Sequence, residues 1–226
     1  MKYALIDWDN TLRRGFTLFT WIEYLCNKGL ISPSIHEEIN VCFELEKKGE
    51  ISHGELAKQA SQIYANRIKG LSRYEIESCL AEYITVDESH FYGFTSTLFS
   101  LLSENSVDAI IVSGSPELII KQYVKKFNIS RVYALVEEEV DGVFNGEVSK
   151  NFGYDKERIV GRLYEELGSY PFLSIGDAAT DLAMLQAATH GYWIKKGCGR
   201  VTDYRFQVFE PNSNQIIKEI ESIFKT

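Results

Sequence analysis

The 226-residue sequence predicts an α/β fold: a parallel sheet covered by helices on both faces, with a purely helical segment inserted after the first strand. Three observations carry that reading. Apolar runs of strand length occur at 3–6, 109–112, 132–136, 172–175, 191–194 and 206–209, and most are separated by stretches of helical periodicity. Alternation of this kind favours a parallel sheet buried on both sides. The stretch from Phe16 to His90 instead carries helical stripes with no strand alternation. Finally, three of the strand-like runs end in acidic or hydroxyl residues, and open α/β sheets hold their ligands beyond the carboxyl ends of strands.

The first run, Tyr3–Ile6, leads into Asp7-Trp8-Asp9-Asn10-Thr11-Leu12. A period of two puts Asp7 and Asp9 on the same side of an extended chain. Crowded carboxylates repel unless a cation joins them or one holds a proton, although Asp and Asn also suit an ordinary acidic turn. The next segment carries apolar stripes such as Leu18/Phe19/Ile22/Leu25, Ile35/Ile39/Cys42/Phe43, Leu56/Ala60/Ile63/Tyr64 and Tyr74/Ile76/Leu80/Tyr83. Breaks at Gly29–Pro33, Gly49–Gly54 and Gly70–Ser72 each contain a helix-starting serine: Ser32, Ser52 and Ser72. Roughly four helices are expected, hanging over the first strand's carboxyl end as a lid would. Their apolar stripes read as core.

Further along, Ile111-Val112-Ser113-Gly114-Ser115-Pro116 is a strand end that delivers a hydroxyl, a glycine and a proline into a turn. Such a turn can be an ordinary connection, and its N–H groups can equally bind an anion. A helix is expected through Ile119, Ile120, Tyr123, Val124 and Phe127. Asp141-Gly142, between two extended runs, signals a hairpin, with Glu137–Glu139 read as its solvated face. Lys156 opens an amphipathic helix through Ile159, Val160, Leu163, Tyr164 and Leu167, and by itself reads as a surface lysine. Leu173-Ser-Ile-Gly176-Asp177-Ala-Ala-Thr-Asp181 is again a strand ending in carboxylates, spaced one helical turn apart.

Composition narrows the partners. The net charge is −8 and no Lys/Arg block stands out, which argues against nucleic acid. Cys26, Cys42, Cys79 and Cys198 are scattered and read as free thiols of a reducing cytosol. No signal-peptide pattern opens the chain and no apolar run reaches membrane-spanning length, so a cytoplasmic protein with no membrane partner is expected, as a monomer or homodimer. The four histidines read as ordinary surface or core residues, and Arg13 and Arg14, just past the first motif, read as part of a solvated turn in preference to substrate contacts.

Three strand ends therefore converge on one crevice with four carboxylates, a hydroxyl beside a glycine turn, and a lysine. An all-oxygen acidic set suits Mg²⁺. Anion-binding N–H groups and a lysine alongside it fit a phosphoryl group, and a carboxylate nucleophile would give an acyl phosphate.

The ordered D-x-D-x-T, Ser-Gly-Ser-Pro, Lys and G-D-x-x-x-D elements resemble the haloacid dehalogenase superfamily over nearly the whole chain, and most of all its phosphoserine-phosphatase-like branch. The resemblance implies a Rossmann-like core from residues 1–14 and 91–226, with residues 15–90 as a helical type-one cap. It implies Asp7 as nucleophile, Asp9 as acid and base, Ser113 and Gly114 as phosphate holders, and Lys156 as charge screen. Mg²⁺ would be held by Asp7, the Asp9 backbone carbonyl and Asp177, with Asp181 a further ligand or an outer anchor. The expected activity is hydrolysis of a small phosphate monoester, with transfer to an alcohol acceptor as the alternative. One departure bears on the substrate. Phosphoserine phosphatases place an acid nine residues after the nucleophile, where this chain has Phe16, and a cap arginine at a position that matches Ala60. Apolar residues at both points leave a zwitterion unpartnered, which is costly. A leaving group with an apolar or neutral surface near Phe16 is expected instead.

Overall fold

The computed structural model describes residues 2–195, 206–211 and 213–225; Cys198 lies outside them. Among the described residues, seven strands form one sheet: β1 (Lys2–Ile6), β2 (Val107–Pro116), β3 (Ile129–Val140), β4 (Val143–Lys150), β5 (Leu173–Gly176), β6 (His190–Ile194) and β7 (Gln207–Phe209). Their spatial order is β4-β3-β2-β1-β5-β6-β7. Every neighbouring pair is parallel except β3–β4, so each of the six expected strands is present and β4 is the second arm of the expected hairpin. Its turn needs two left-handed residues, and Asp141 (φ 53°) and Gly142 (φ 77°) supply them.

The period of two in β1 explains why both faces of the sheet are covered. Ala4 and Ile6 join one apolar cluster, which runs on into the helical insertion through Trp21, Ile39 and Tyr64. Tyr3 and Leu5 join a second cluster with Ile159, Leu163 and Met184 on the opposite face.

The insertion consists of α1 (Thr17–Asn27), α2 (Ile35–Lys47), α3 (His53–Arg67) and α4 (Arg73–Asp87). Ser52 and Ser72 cap α3 and α4, accepting the N–H groups of Glu55 and Glu75, and Glu75 completes a capping box. Helix α2 starts after Ser34, not Ser32; the Ser32 hydroxyl instead accepts the Ser34 N–H across Pro33. α5 (Thr95–Glu104) then leads into β2. The helix expected over 119–127 is split into α6 (Glu117–Ile120), a 3₁₀ turn and α7 (Val124–Phe127), still burying Ile119, Ile120, Tyr123 and Phe127. α8 (Lys156–Leu167), α9 (Leu182–Ala187) and α10 (Gln215–Phe224) complete the helices. No helix among the described residues is long and apolar enough to cross a membrane.

The hairpin is fastened to the insertion by main-chain hydrogen bonds. Gly70 N donates to Phe144 O (2.9 Å), Phe144 N to Leu71 O (3.0 Å) and Arg73 N to Gly142 O (2.8 Å). Arg73 also pairs with Glu139 at 2.7 Å. This packing corrects one expectation. Glu137 is not on a solvated face but 6% exposed, buried beside Tyr64 of α3. Burial pushes its carboxyl up to about 7.

Candidate active site

β1 ends between β2 and β5, the point where the strand order reverses. The parallel register sets Ile6 opposite both Ile111 and Ile175, and Asp7 N donates to Ile175 O at 3.0 Å. Asp7 and Asp177, just past the ends of β1 and β5, and Ser113, near the carboxyl end of β2, are thereby brought together. Asp7, Asp9, Phe16, Ser113, Gly114, Lys156, Asp177 and Asp181 all line one cavity of about 850 Å³, part of it open to solvent.

Asp7 lies on the core side of this cavity. Its Oδ1 accepts from Lys156 Nζ at 2.6 Å, and the same ammonium meets Asp181 Oδ1 at 2.6 Å. Thr11 Oγ1 donates to Asp7 Oδ2 at 2.8 Å and approaches Asp177 Oδ1 at 3.3 Å. Lys156 opens α8 yet is only 3% exposed, so it is not the surface lysine its isolated position suggests. Burial alone would lower its affinity for a proton; Asp181 and Asp7 outweigh that and hold the ammonium well above its ordinary range. Burial pushes the Asp7 carboxyl up to about 6 against the pull of Lys156, with Asp181 and Asp9 adding to the rise.

Asp177 and Asp181 do not sit one above the other on a helix. A 3₁₀ turn over Ala179–Asp181 folds Asp181 back, and its Oδ2 accepts the N–H groups of Asp177 (2.9 Å) and Ala178 (2.8 Å). Glycine at 176 permits the fold-back, since a Cβ there would lie 2.5 Å from Asp181 Cβ. Carboxylate oxygens of Asp7, Asp177 and Asp181 lie within 4.8 Å of one another, a buried hard-donor set fit for a divalent cation. Asp181 already spends both oxygens on Lys156 and the backbone, which suits an anchor better than a direct ligand.

Across the cavity, Ser113 is buried and its hydroxyl accepts the Ser115 N–H at 3.1 Å. Gly114 packs against Gly153 so tightly that a Cβ on Gly153 would lie 2.4 Å from Gly114 Cα. That contact sets the loop before Lys156 against the serine turn. Because α6 has only four residues, an anion at this turn would be held by the local N–H groups and hydroxyls more than by a helix dipole.

Asp9 faces a different set of partners. Its Oδ1 accepts Thr17 N (3.0 Å), Thr17 Oγ1 (2.6 Å) and Arg13 Nη1 (3.2 Å), while Ser115 Oγ donates to Oδ2. Arg13 is fully buried, and its Nη2 pairs with the equally buried Asp87 at 2.7 Å. The reading of Arg13 as part of a solvated turn is therefore wrong: the turn is roofed by α1 and α4. Arg14 is exposed. Arg13, Thr17, Asp87 and Ser115 carry no spacing signature; Arg13 four residues after Asp9 was the one local hint.

The far wall of the cavity is apolar. Phe16, Leu18, Phe19, Phe43, Leu56, Ala57 and Ala60 line it, so the two positions at which an acid and an arginine are missing do face the cavity. Away from the carboxylate and lysine end, the ionisable side chains among the described lining residues are His53 and Tyr154. The His53 ring lies 2.8 Å from Glu46.

A sequence model of the haloacid dehalogenase-like hydrolases matches residues 4–186. A search of curated proteins finds no match. Among solved structures, a Bordetella pertussis Tohama I protein of unknown function superimposes with a TM-score of 0.77 at 17% identity, over 92% of this chain and 98% of that one. A Salmonella enterica serovar Typhi hydrolase of the same family gives 0.70 at 13% identity, over 96% and 69%. A phosphoserine phosphatase captured as a phospho-aspartyl intermediate analogue gives 0.66 at 16%, over 96% and 98%. At such identities these likenesses speak for the fold.

Proposed function

This chain belongs to the haloacid dehalogenase-like hydrolase family, and on that premise we propose that it is a Mg²⁺-dependent phosphatase of small phosphate monoesters working through an aspartyl-phosphate. The observation that carries the reading is the Asp7–Lys156 contact at 2.6 Å, in a cavity shared with Ser113, Asp9 and Asp177. A carboxylate so placed can attack phosphorus while the ammonium steadies the equatorial oxygens.

In this reading one Asp7 oxygen bonds to phosphorus as the ester P–O bond breaks. The departing oxygen takes its electron pair and a proton from Asp9. Asp9, now a carboxylate, removes a proton from water as that water attacks the phosphoenzyme, releasing phosphate and restoring Asp7. Ser113 Oγ and the Gly114 N–H hold phosphoryl oxygens. Asp7, Asp177 and the Asp9 backbone carbonyl would hold Mg²⁺, which supplies charge neutralisation for the transferring group, and Asp181 keeps Lys156 in place. Residues 15–90 act as the cap over a core of 1–14 and 91–226, and the enzyme works on a cytoplasmic metabolite.

Phosphoserine is disfavoured as that metabolite, although several similar structures are phosphoserine phosphatases. Its ammonium and carboxylate would face Phe16 and Ala60, and unpaired charge against apolar surface is costly. The leaving group that fits is apolar or neutral. The test is a phosphate-release panel with Mg²⁺, spanning alkyl, aryl, sugar and amino-acid phosphates. Turnover that favours apolar esters is expected. Selective turnover of phosphoserine would overturn the substrate reading, and no release from any ester would overturn the activity.

A further inference from the structure

Arg13 and Asp87 form a buried pair for which the chemistry above has no use. Burying an arginine and an aspartate together is expensive unless every charge is met. Here Nη1 and Nη2 of Arg13 are both met, only Nε having no hydrogen-bond partner, and the network runs directly to Asp9. Asp87, the last residue of α4, takes Arg13 Nη2 at 2.7 Å and the hydroxyls of Tyr83 (3.1 Å) and Tyr123 (2.8 Å). Thr20 on α1 holds the Tyr83 hydroxyl in turn, at 2.8 Å. The other arm of the guanidinium spans Asp9 Oδ1 and Thr17 Oγ1, at 3.2 and 2.8 Å.

The two oxygens of Asp9 are consequently unlike. Oδ1 accepts from three donors, one of them cationic, and has no geometry left for a proton. Oδ2 meets the Ser115 hydroxyl, which can either donate or accept and so tolerates both protonation states. We infer that Arg13 is a positioning residue: anchored by Asp87, it pins Oδ1 of Asp9 and makes Oδ2 the oxygen that passes a proton to the leaving alcohol. The inference rests on Asp9 being the acid. It adds that the acid's aim is set by the end of α4, outside the phosphate site.

Leaving-group dependence tests it. Nitrophenolate departs without a proton, whereas an alkoxide needs one, so loss of acid catalysis falls on alkyl phosphates. kcat/KM, which reports the steps up to departure of the alcohol, is measured for p-nitrophenyl phosphate and cyclohexylmethyl phosphate in wild type, Asp9→Asn, Arg13→Met, Arg13→Lys and Asp87→Asn. Asp9→Asn sets the scale, with about 100-fold more loss on the alkyl ester than on the aryl ester. Arg13→Met is expected to show at least a tenfold skew in the same direction, and Arg13→Lys to recover part of it. Equal losses on the two esters in Arg13→Met, with Asp9→Asn skewed, would make the pair purely structural and overturn the inference. Equal losses in Asp9→Asn would instead sink Asp9 as the acid, and the positioning role with it. Should Arg13→Met not fold, Asp87→Asn decides: it keeps Asp9 and Arg13, and a smaller skew of the same sign is expected, with equal losses overturning the inference.

Discussion

Asp7 and Asp9 leave the same strand two residues apart, yet they belong to two different electrostatic regions. Asp7 shares one lysine with Asp181 and stands beside Asp177, so three carboxylates face a single ammonium. Asp9 shares one arginine with Asp87, and neutral hydroxyl and N–H donors supply the rest. The first region is short of positive charge and therefore has room for a cation and a group it can stabilise. The second is closed on itself and offers orientation. The proposed nucleophile and the proposed acid thus draw on different supports, one in the core and one at the joint with the helical insertion.

The sharpest way to break this contrast is at Asp7, the proposed nucleophile. Asp7→Asn is expected to cut phosphate release by at least on the order of 10⁴-fold with the fold retained, checked by turnover assays beside circular dichroism. Activity near wild type would remove Asp7 from the chemistry. A smaller loss is expected for Lys156→Met, about 10²- to 10³-fold in kcat/KM, because one preorganised cation near the transferring group is worth that much. It should also weaken inhibition by inorganic phosphate, a readout that Arg13→Met should leave nearly unmoved. If both variants weakened phosphate inhibition equally, the two regions would not be functionally separate.

The smallest effect isolates stability from either region. The Glu137 carboxyl titrates at about 7 when folded against 4.5 when unfolded, because burial disfavours its charge. The folded state therefore holds this proton more tightly, and stability falls as pH rises from 4.5 through 7, by roughly 3 kcal/mol. Glu137→Gln keeps the shape and drops the charge. It should melt at the same temperature as wild type near pH 4.5 and roughly 5 °C or more higher above pH 7, read by thermal melts across pH. An unchanged slope would assign that pH dependence to the active-site carboxylates.

The core-side region was legible in the sequence because its residues sit at strand ends, where local apolar runs and short motifs fix their place. Asp7, Ser113 and Asp177 are positioned by parallel register, which alternating patterns reveal. Lys156 was legible only as one of an ordered set, because its burial depends on Gly114 and Gly153 touching, a contact no local pattern encodes. The Arg13–Asp87 pair was not legible, the spacing of Arg13 from Asp9 being the one local hint. They are separated by 74 residues, and an arginine in a polar turn looks solvated until helices close over it. Glu137 was misread for the same reason: its neighbours Glu138 and Glu139 face solvent, and only the third dimension shows α3 above it.

The stitches between 70–73 and 142–144 have a consequence that reaches beyond packing. They make the β3–β4 hairpin, which lines no part of the cavity, a structural hem for the helical insertion. Cutting the peptide link after Asp141 would free that hem while sparing each acid and each cation beneath it.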